Sequence, residues 1–161
     1  MDTDAIVHIL LEDDGSCRDI NFSENISTLG ACSLLDVIAT RWKLSRATDV
    51  DGEAIRPERL QACLLQKEGA LSTVWDGPVL PHRLQAYFYW TGLDRVFCKL
   101  TFFPEDLDPP RFELPDFLRV LALFVHATQS QEYYVRVEDA SWSHAGSNKE
   151  SVIFSHETLR L

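Results

Sequence analysis

The sequence predicts an α+β fold, with a mostly antiparallel sheet and two or three helices, one of them largely buried at about 114–128. Three observations carry this. Residues 83–90 and 95–103 alternate apolar and polar side chains around Thr91-Gly92-Leu93-Asp94, the pattern of a β-hairpin. From Pro115 to about Thr128, Phe117, Leu118, Val120, Leu121, Leu123, Phe124 and Val125 cover most of a helix circumference. Only Asp116, Arg119, His126 and Gln129 trace a polar stripe, so the helix belongs in a core. Finally, 161 residues with 45% hydrophobic content suit one domain, 1–161, with a core of its own.

The remaining elements follow in chain order. Residues 5–11 read as a strand, Glu12 to Ser16 as a turn around Asp14-Gly15, and Cys17 to Phe22 as the returning strand of a hairpin. Ser27 or Thr28 caps a helix to about Leu44, whose apolar face is Ala31, Leu34, Leu35, Ile38 and Trp42. Residues 45–56 read as a loop. Pro57 opens a short helix with Leu60, Cys63 and Leu64 buried, and Gly69 ends it. Residues 69–82, with Gly77, Pro78 and Pro81, read as a loop or bent edge segment. After the central hairpin, Pro104 to Pro110 is an acidic connection. Residues 132–138 form a strand, Gly146 to Lys149 a turn, and Ser151 to Ser155 a last short strand.

The formal net charge is −10. Nucleic-acid affinity comes mainly from Lys and Arg neutralising phosphates, so this balance disfavours direct nucleic-acid binding and suits a basic partner. Much of the excess lies at the start, where Asp2, Asp4, Glu12, Asp13, Asp14, Asp19 and Glu24 face only Arg18. The first residues lack a basic, then apolar, leader pattern, and no apolar run approaches the roughly 20 residues of a membrane span. Cys17, Cys32, Cys63 and Cys98 are scattered, which reads as reduced thiols in a cytoplasmic protein.

Chemistry is sparse. No phosphate-binding glycine loop, H-E-x-x-H or G-x-S-x-G occurs. Asp49-Val50-Asp51-Gly52-Glu53 begins like a calcium loop, but glycine is fourth instead of sixth and the twelfth residue is Leu60, not glutamate. His8, His82, His126, His144 and His156 show no ligand spacing. The expectation is no catalytic residue, no metal and no cofactor.

Two features point to binding. The second face of the central hairpin carries Tyr87, Tyr89, Phe97 and Phe103 among Arg83, Arg95, Lys99 and Thr101. Those aromatics are either half-exposed, as interface residues are, or covered by residues 45–56, 69–82 or the N-terminal hairpin. Acids also cluster in connections: Asp13 and Asp14 after Glu12; Asp49, Asp51 and Glu53; and Glu105, Asp106 and Asp108. They suit either solvated turns or contacts to a basic protein.

The stretch Glu132 to Trp142, followed by a turn and Ser151-Val152-Ile153-Phe154-Ser155-His156, resembles the C-terminal end of small immunity proteins of bacterial polymorphic toxin and contact-dependent inhibition systems. Phe102-Phe103-Pro104-Glu105-Asp106 before the Pro115 helix is compatible with that resemblance, which covers the last third of the chain. It implies stoichiometric inhibition of one cognate protein toxin, many of which are basic nucleases. The toxin-binding residues would then be drawn from Asp13, Asp14, Asp49, Asp51, Glu53, Tyr87, Tyr89, Glu105, Asp106 and Asp108. The alternatives are a small enzyme or ligand-binding domain whose pocket the sequence does not show, and an adaptor subunit of a larger assembly.

Overall fold

The computed structural model describes residues 2–22, 25–92, 94–138 and 151–161. Among the described residues there are four α-helices: α1 (Thr3–Leu11), α2 (Thr28–Arg41), α3 (Leu60–Leu64) and α4 (Leu114–Thr128). The strands are β1 (Arg18–Asn21), β2 (Lys43–Thr48), β3 (Gly69–Asp76), β4 (Arg83–Trp90), β5 (Phe97–Phe102), β6 (Tyr134–Val137) and β7 (Val152–Ser155). They form one sheet in the order β2-β3-β4-β5-β1-β6-β7, and every neighbouring pair is antiparallel. The α+β class and the antiparallel sheet predicted from the sequence are present.

Because side chains alternate across a strand, one register fixes both faces of the sheet. Ala47, Thr73, Ala86, Leu100, Ile20, Val135 and Phe154 are successive partners across all seven strands, and all are buried. Ile6 and Leu10 of α1, Leu34 and Ile38 of α2, Leu60 and Leu64 of α3, and Phe117, Leu121 and Phe124 of α4 join these strands in one core. The helices therefore cover one face only. Helices α2 and α4 lie so close that a Cβ added to Gly30 would stand 2.7 Å from the Thr128 carbonyl oxygen. Ser27 caps α2 by accepting from the Gly30 N–H at 2.9 Å, as its position predicts.

Several segments differ from the sequence expectation. Residues 5–11 are helical, not a strand. Asp2 accepts from the Asp4 N–H at 3.1 Å to start α1, and Ile6 and Leu10, one turn apart, are its buried residues. The other end of α1 is closed by Arg18, which β1 points into the core. Its Nε and Nη2 donate to the Ile9 carbonyl at 3.1 and 2.9 Å, and Nη2 donates to the Glu12 carbonyl at 2.7 Å. Arg18 is fully buried, yet these bonds and the negative end of the helix dipole compensate its charge.

Helix α2 ends at Arg41 instead of about Leu44, residues 43–48 form a strand where the helix end and a loop were expected, and residues 69–76 form one where a loop or bent edge segment was. Gly69 opens β3 rather than ending α3, where a Cβ would meet the Trp90 ring at 2.9 Å. Strand β3 lies inside the sheet, between β2 and β4. The predicted turn at Gly146–Lys149 falls outside the described residues. Among the described residues no helix is long and apolar enough to cross a membrane.

Candidate functional site

The sheet face opposite the helices lies open, and the same register that builds the core lays it out in rows. Arg46, Val74, Gln85, Thr101, Asp19 and Arg136 are successive partners along one row. Thr48, Ser72, Tyr87, Lys99, Asn21, Tyr134 and Ser155 form the next. Ala70, Tyr89 and Phe97 form a third. A groove of about 570 Å³ runs over this face, lined by Arg46, Ser72, Val74, Gln85, Tyr87, Lys99, Thr101 and Phe103, with Cys17 and Glu138 at its β1–β6 side.

The segments that could have covered the hairpin aromatics do not, since residues 43–48 and 69–76 extend the sheet instead. Tyr89 is 46% exposed and Phe103 36%, while Tyr87 is half-buried, with its ring edge-on to Phe97 at 6.4 Å. Towards β1 and β6 the face becomes a buried polar patch. Asp19 accepts from the Thr101 hydroxyl at 2.6 Å, and Lys99 Nζ lies 4.0 Å from its other oxygen. Burial pushes the Asp19 carboxyl above its ordinary range, and the Thr101 bond opposes that shift. Burial also pushes the Cys17 thiol up to about 11, which makes it a poor nucleophile.

The acidic clusters sit at the two ends of the sheet. Asp13, Asp14, Glu105 and Asp106 share one end, since Arg18 of β1 pairs with Phe102 just before the turn at Pro104–Leu107. Asp49, Asp51 and Glu53 follow β2 at the opposite end. The structure therefore joins two of the three clusters and keeps the third apart.

Many of these carboxylates are engaged locally. Asp49 Oδ1 accepts from the Asp51 and Glu53 N–H groups, both at 2.9 Å, and shapes its own turn. Asp106 accepts from the Phe103 N–H at 2.9 Å, and burial pushes its carboxyl up against that bond. Asp108, in the left-handed region at φ 52°, pairs with Arg111 at 2.9 Å. Asp14 accepts from the Ser16 hydroxyl at 2.6 Å and its N–H at 3.0 Å, with Arg18 at 3.4 Å, and these hold its carboxyl at about 2. Asp13, Asp51, Glu53 and Glu105 are exposed, and their carboxylates make no hydrogen bond or ion pair among the described residues. They are the carboxylates with lone pairs to offer a partner.

Sequence reading missed Arg46, Val74 and Gln85 as parts of this surface. The signal was present in residues 69–76, where Leu71, Thr73 and Trp75 alternate with Ser72, Val74 and Asp76. Among the described residues no three His, Cys, Asp or Glu side chains gather where a metal ion would fit. His126 is exposed on α4, whereas Cys98 is buried on the core face of β5.

No protein-family model matches the chain, and no curated protein matches it. Solved structures do. The chain shares its fold with a chain of the crystal structure of the toxic C-terminal tip of CdiA from Pseudomonas aeruginosa in complex with immune protein, at a TM-score of 0.58 and 13% identity. That match covers 89% of this chain and 96% of the other. A Pseudomonas aeruginosa T6SS protein matches with a TM-score of 0.46 and 11% identity over 79% of this chain and 42% of that one. The fold likeness to that first chain extends over most of this one, and Asp139 to Trp142 of the stretch quoted from the sequence lie outside the described residues.

Proposed function

We propose that this chain is an immunity protein that binds one cognate toxin and neutralises it stoichiometrically, without chemistry of its own. The observation that carries the reading is the fold shared almost end to end with a chain from a toxin–immune protein complex. The net charge of −10 supports a basic, nuclease-type toxin as the partner, and the same charge argues against nucleic acid itself. The chain would meet its toxin in the cytoplasm. Asp13, Asp51, Glu53 and Glu105, exposed at the two ends of the sheet, are the acids placed to steer a basic surface into contact, since rim charges act mainly on association rate. Tyr87 and Tyr89 would bury apolar area between those ends.

The test is co-expression with the protein encoded beside this chain. The expected result is a 1:1 complex and survival of cells that the neighbour alone kills. A neighbour that is harmless and does not co-purify would refute the reading. Within a complex, neutralising Asp13, Asp51, Glu53 and Glu105 together should slow association by about tenfold at low salt and change dissociation little.

A further inference from the structure

We infer that the open sheet face is the gripping surface for a carboxylate-bearing segment of the partner, with Arg46 and Lys99 taking the carboxylates and Tyr87 packing against the segment between them. This deepens the antidote reading and rests on it for the partner's identity. It also inverts the charge logic of the acidic loops, which would steer from the ends while the cationic face holds the centre.

Acids outnumber bases in this chain, whose net charge is −10, yet its sheet face gathers cations. Within β2–β5 the open face carries Lys43, Arg46, Arg83 and Lys99, and its only carboxylate is Asp76. Arg83 already holds Asp76 at 2.8 Å. Arg46 is exposed and has no acidic partner among the described residues. Lys99 has only a long contact of 4.0 Å to Asp19, whose other oxygen the Thr101 hydroxyl occupies. Two cations with unspent capacity therefore line one groove, whose other charged lining residue, Glu138, stands at its β1–β6 side.

Their spacing suits an extended segment. Arg46 of β2 is separated from β5, which carries Lys99, by β3 and β4. At about 4.8 Å per strand across three spacings, and about 6.8 Å along the strands because Lys99 lies one row beyond Thr101, the two positions stand roughly 16 Å apart. Val74, Gln85 and Tyr87 floor the space between them. An arginine offers a planar fork to a carboxylate and a lysine a point charge, so the two ends of such a segment would be read differently.

The sheet edges are poorer docking sites. Strand β2 breaks register between Leu44 and Arg46 and presents Lys43 and Arg46, features that discourage strand addition. Helix α1 packs beside β7 at the opposite edge.

The test uses the full chain and its Arg46→Glu/Lys99→Glu variant, with folding verified by circular dichroism. Arg46 is exposed and Lys99 half-buried on the open face, so neither side chain packs in the core. The probes are the protein encoded beside the chain and a synthetic ten-residue peptide of alternating glutamate and tyrosine. Loss of neighbour affinity by tenfold or more in the variant is the expected result. Equal affinity of the neighbour for both forms overturns the face while leaving the antidote reading intact. If the neighbour binds neither form, the antidote reading fails and the peptide decides. Salt-sensitive peptide binding that the variant abolishes supports the face as a carboxylate site, and absence of peptide binding overturns it. An oligothymidylate that binds the wild-type chain more tightly than the peptide also overturns it, in favour of single-stranded nucleic acid.

Discussion

Arg18→Met is the substitution that tests the architecture most directly. Methionine fills the space of the arginine stem, so the change removes the guanidinium without opening a large void. The side chain is fully buried, and its donors reach the Ile9 carbonyl at 2.9 Å, the Glu12 carbonyl at 2.7 Å, the Ser16 hydroxyl at 2.7 Å and the Ser16 carbonyl at 3.1 Å. Each charged hydrogen bond is worth about 1.5–3 kcal/mol in isolation, but water can re-solvate the exposed Glu12 region once the arginine is gone. The net cost should therefore match the removal of one partner from a buried charged network, about 3–5 kcal/mol. At about 2–4 °C per kcal/mol for a chain of this size, Tm should fall by roughly 10 °C. Thermal unfolding followed by circular dichroism at pH 7 measures it. Arg18→Lys should recover less than half of the loss, because an ammonium cannot span the Ile9, Glu12 and Ser16 acceptors at once. A Tm within about 2 °C of wild type for Arg18→Met would refute the reasoning, since that is below 1 kcal/mol.

Gly30→Ala should destabilise by about 1–3 kcal/mol in urea unfolding, because its Cβ would meet the Thr128 backbone oxygen at 2.7 Å and force α2 from α4; a gain in stability from helix propensity would contradict that packing. The carboxyl of Asp14 is held at about 2, below its ordinary 3.8, so its ionised form stabilises the fold above about pH 4 and that contribution disappears as pH falls towards 2. The Tm difference between wild type and Asp14→Asn should accordingly shrink from pH 5 to pH 2, and a constant difference would show that the carboxylate is not involved. Burial raises all four thiols, Cys17 to about 11, so a disulfide reagent at pH 8 should label the native chain slowly and all four after denaturation. Rapid labelling of Cys98 in the native state would mean that β5 opens readily.

The elements legible in the sequence are those whose periodicity one environment dictates. Helix α4 and the β4–β5 hairpin each bury one face against the core, and their residues report it. Strand β2 was not legible because it is an edge strand with little buried surface: Leu44 is half-buried and only Ala47 is fully buried. Strand β3 was obscured by its opening glycine and by the prolines that follow it, although its alternation is clean. Helix α1 reads as a strand because Ile6, Val7 and Ile9 are β-branched and the run is too short for periodicity alone to decide. What decides it is Arg18, a residue seven positions beyond the helix, and that contact exists only in three dimensions.

The same limit applies to the candidate site. Alternation alone placed Tyr87 and Tyr89 on the non-core face of the hairpin. Arg46 joins them through the β2–β3 register, which could not be written down while β2 was read as loop. The division of the acids into engaged and unspent carboxylates was not legible either. Asp49 and Asp106 look like surface charges in the sequence, yet backbone N–H groups claim both.

The place of β1 in the sheet bears on how the chain reaches its native state. Strands β2 to β5 are neighbours both in the chain and in space, so they can pair as each one forms. Strand β1 is different: Arg18 pairs with Phe102 on one side and with Val137 on the other. It is made early, but one of its partners comes from near the opposite end of the chain. Such long-range closure is entropically costly and slow compared with a meander. Until it happens, β5 and β6 each present an open edge of unpaired backbone groups, the kind of surface on which chains aggregate. A ribosome releasing this chain would therefore leave one edge of β1 unpaired until β6 emerged.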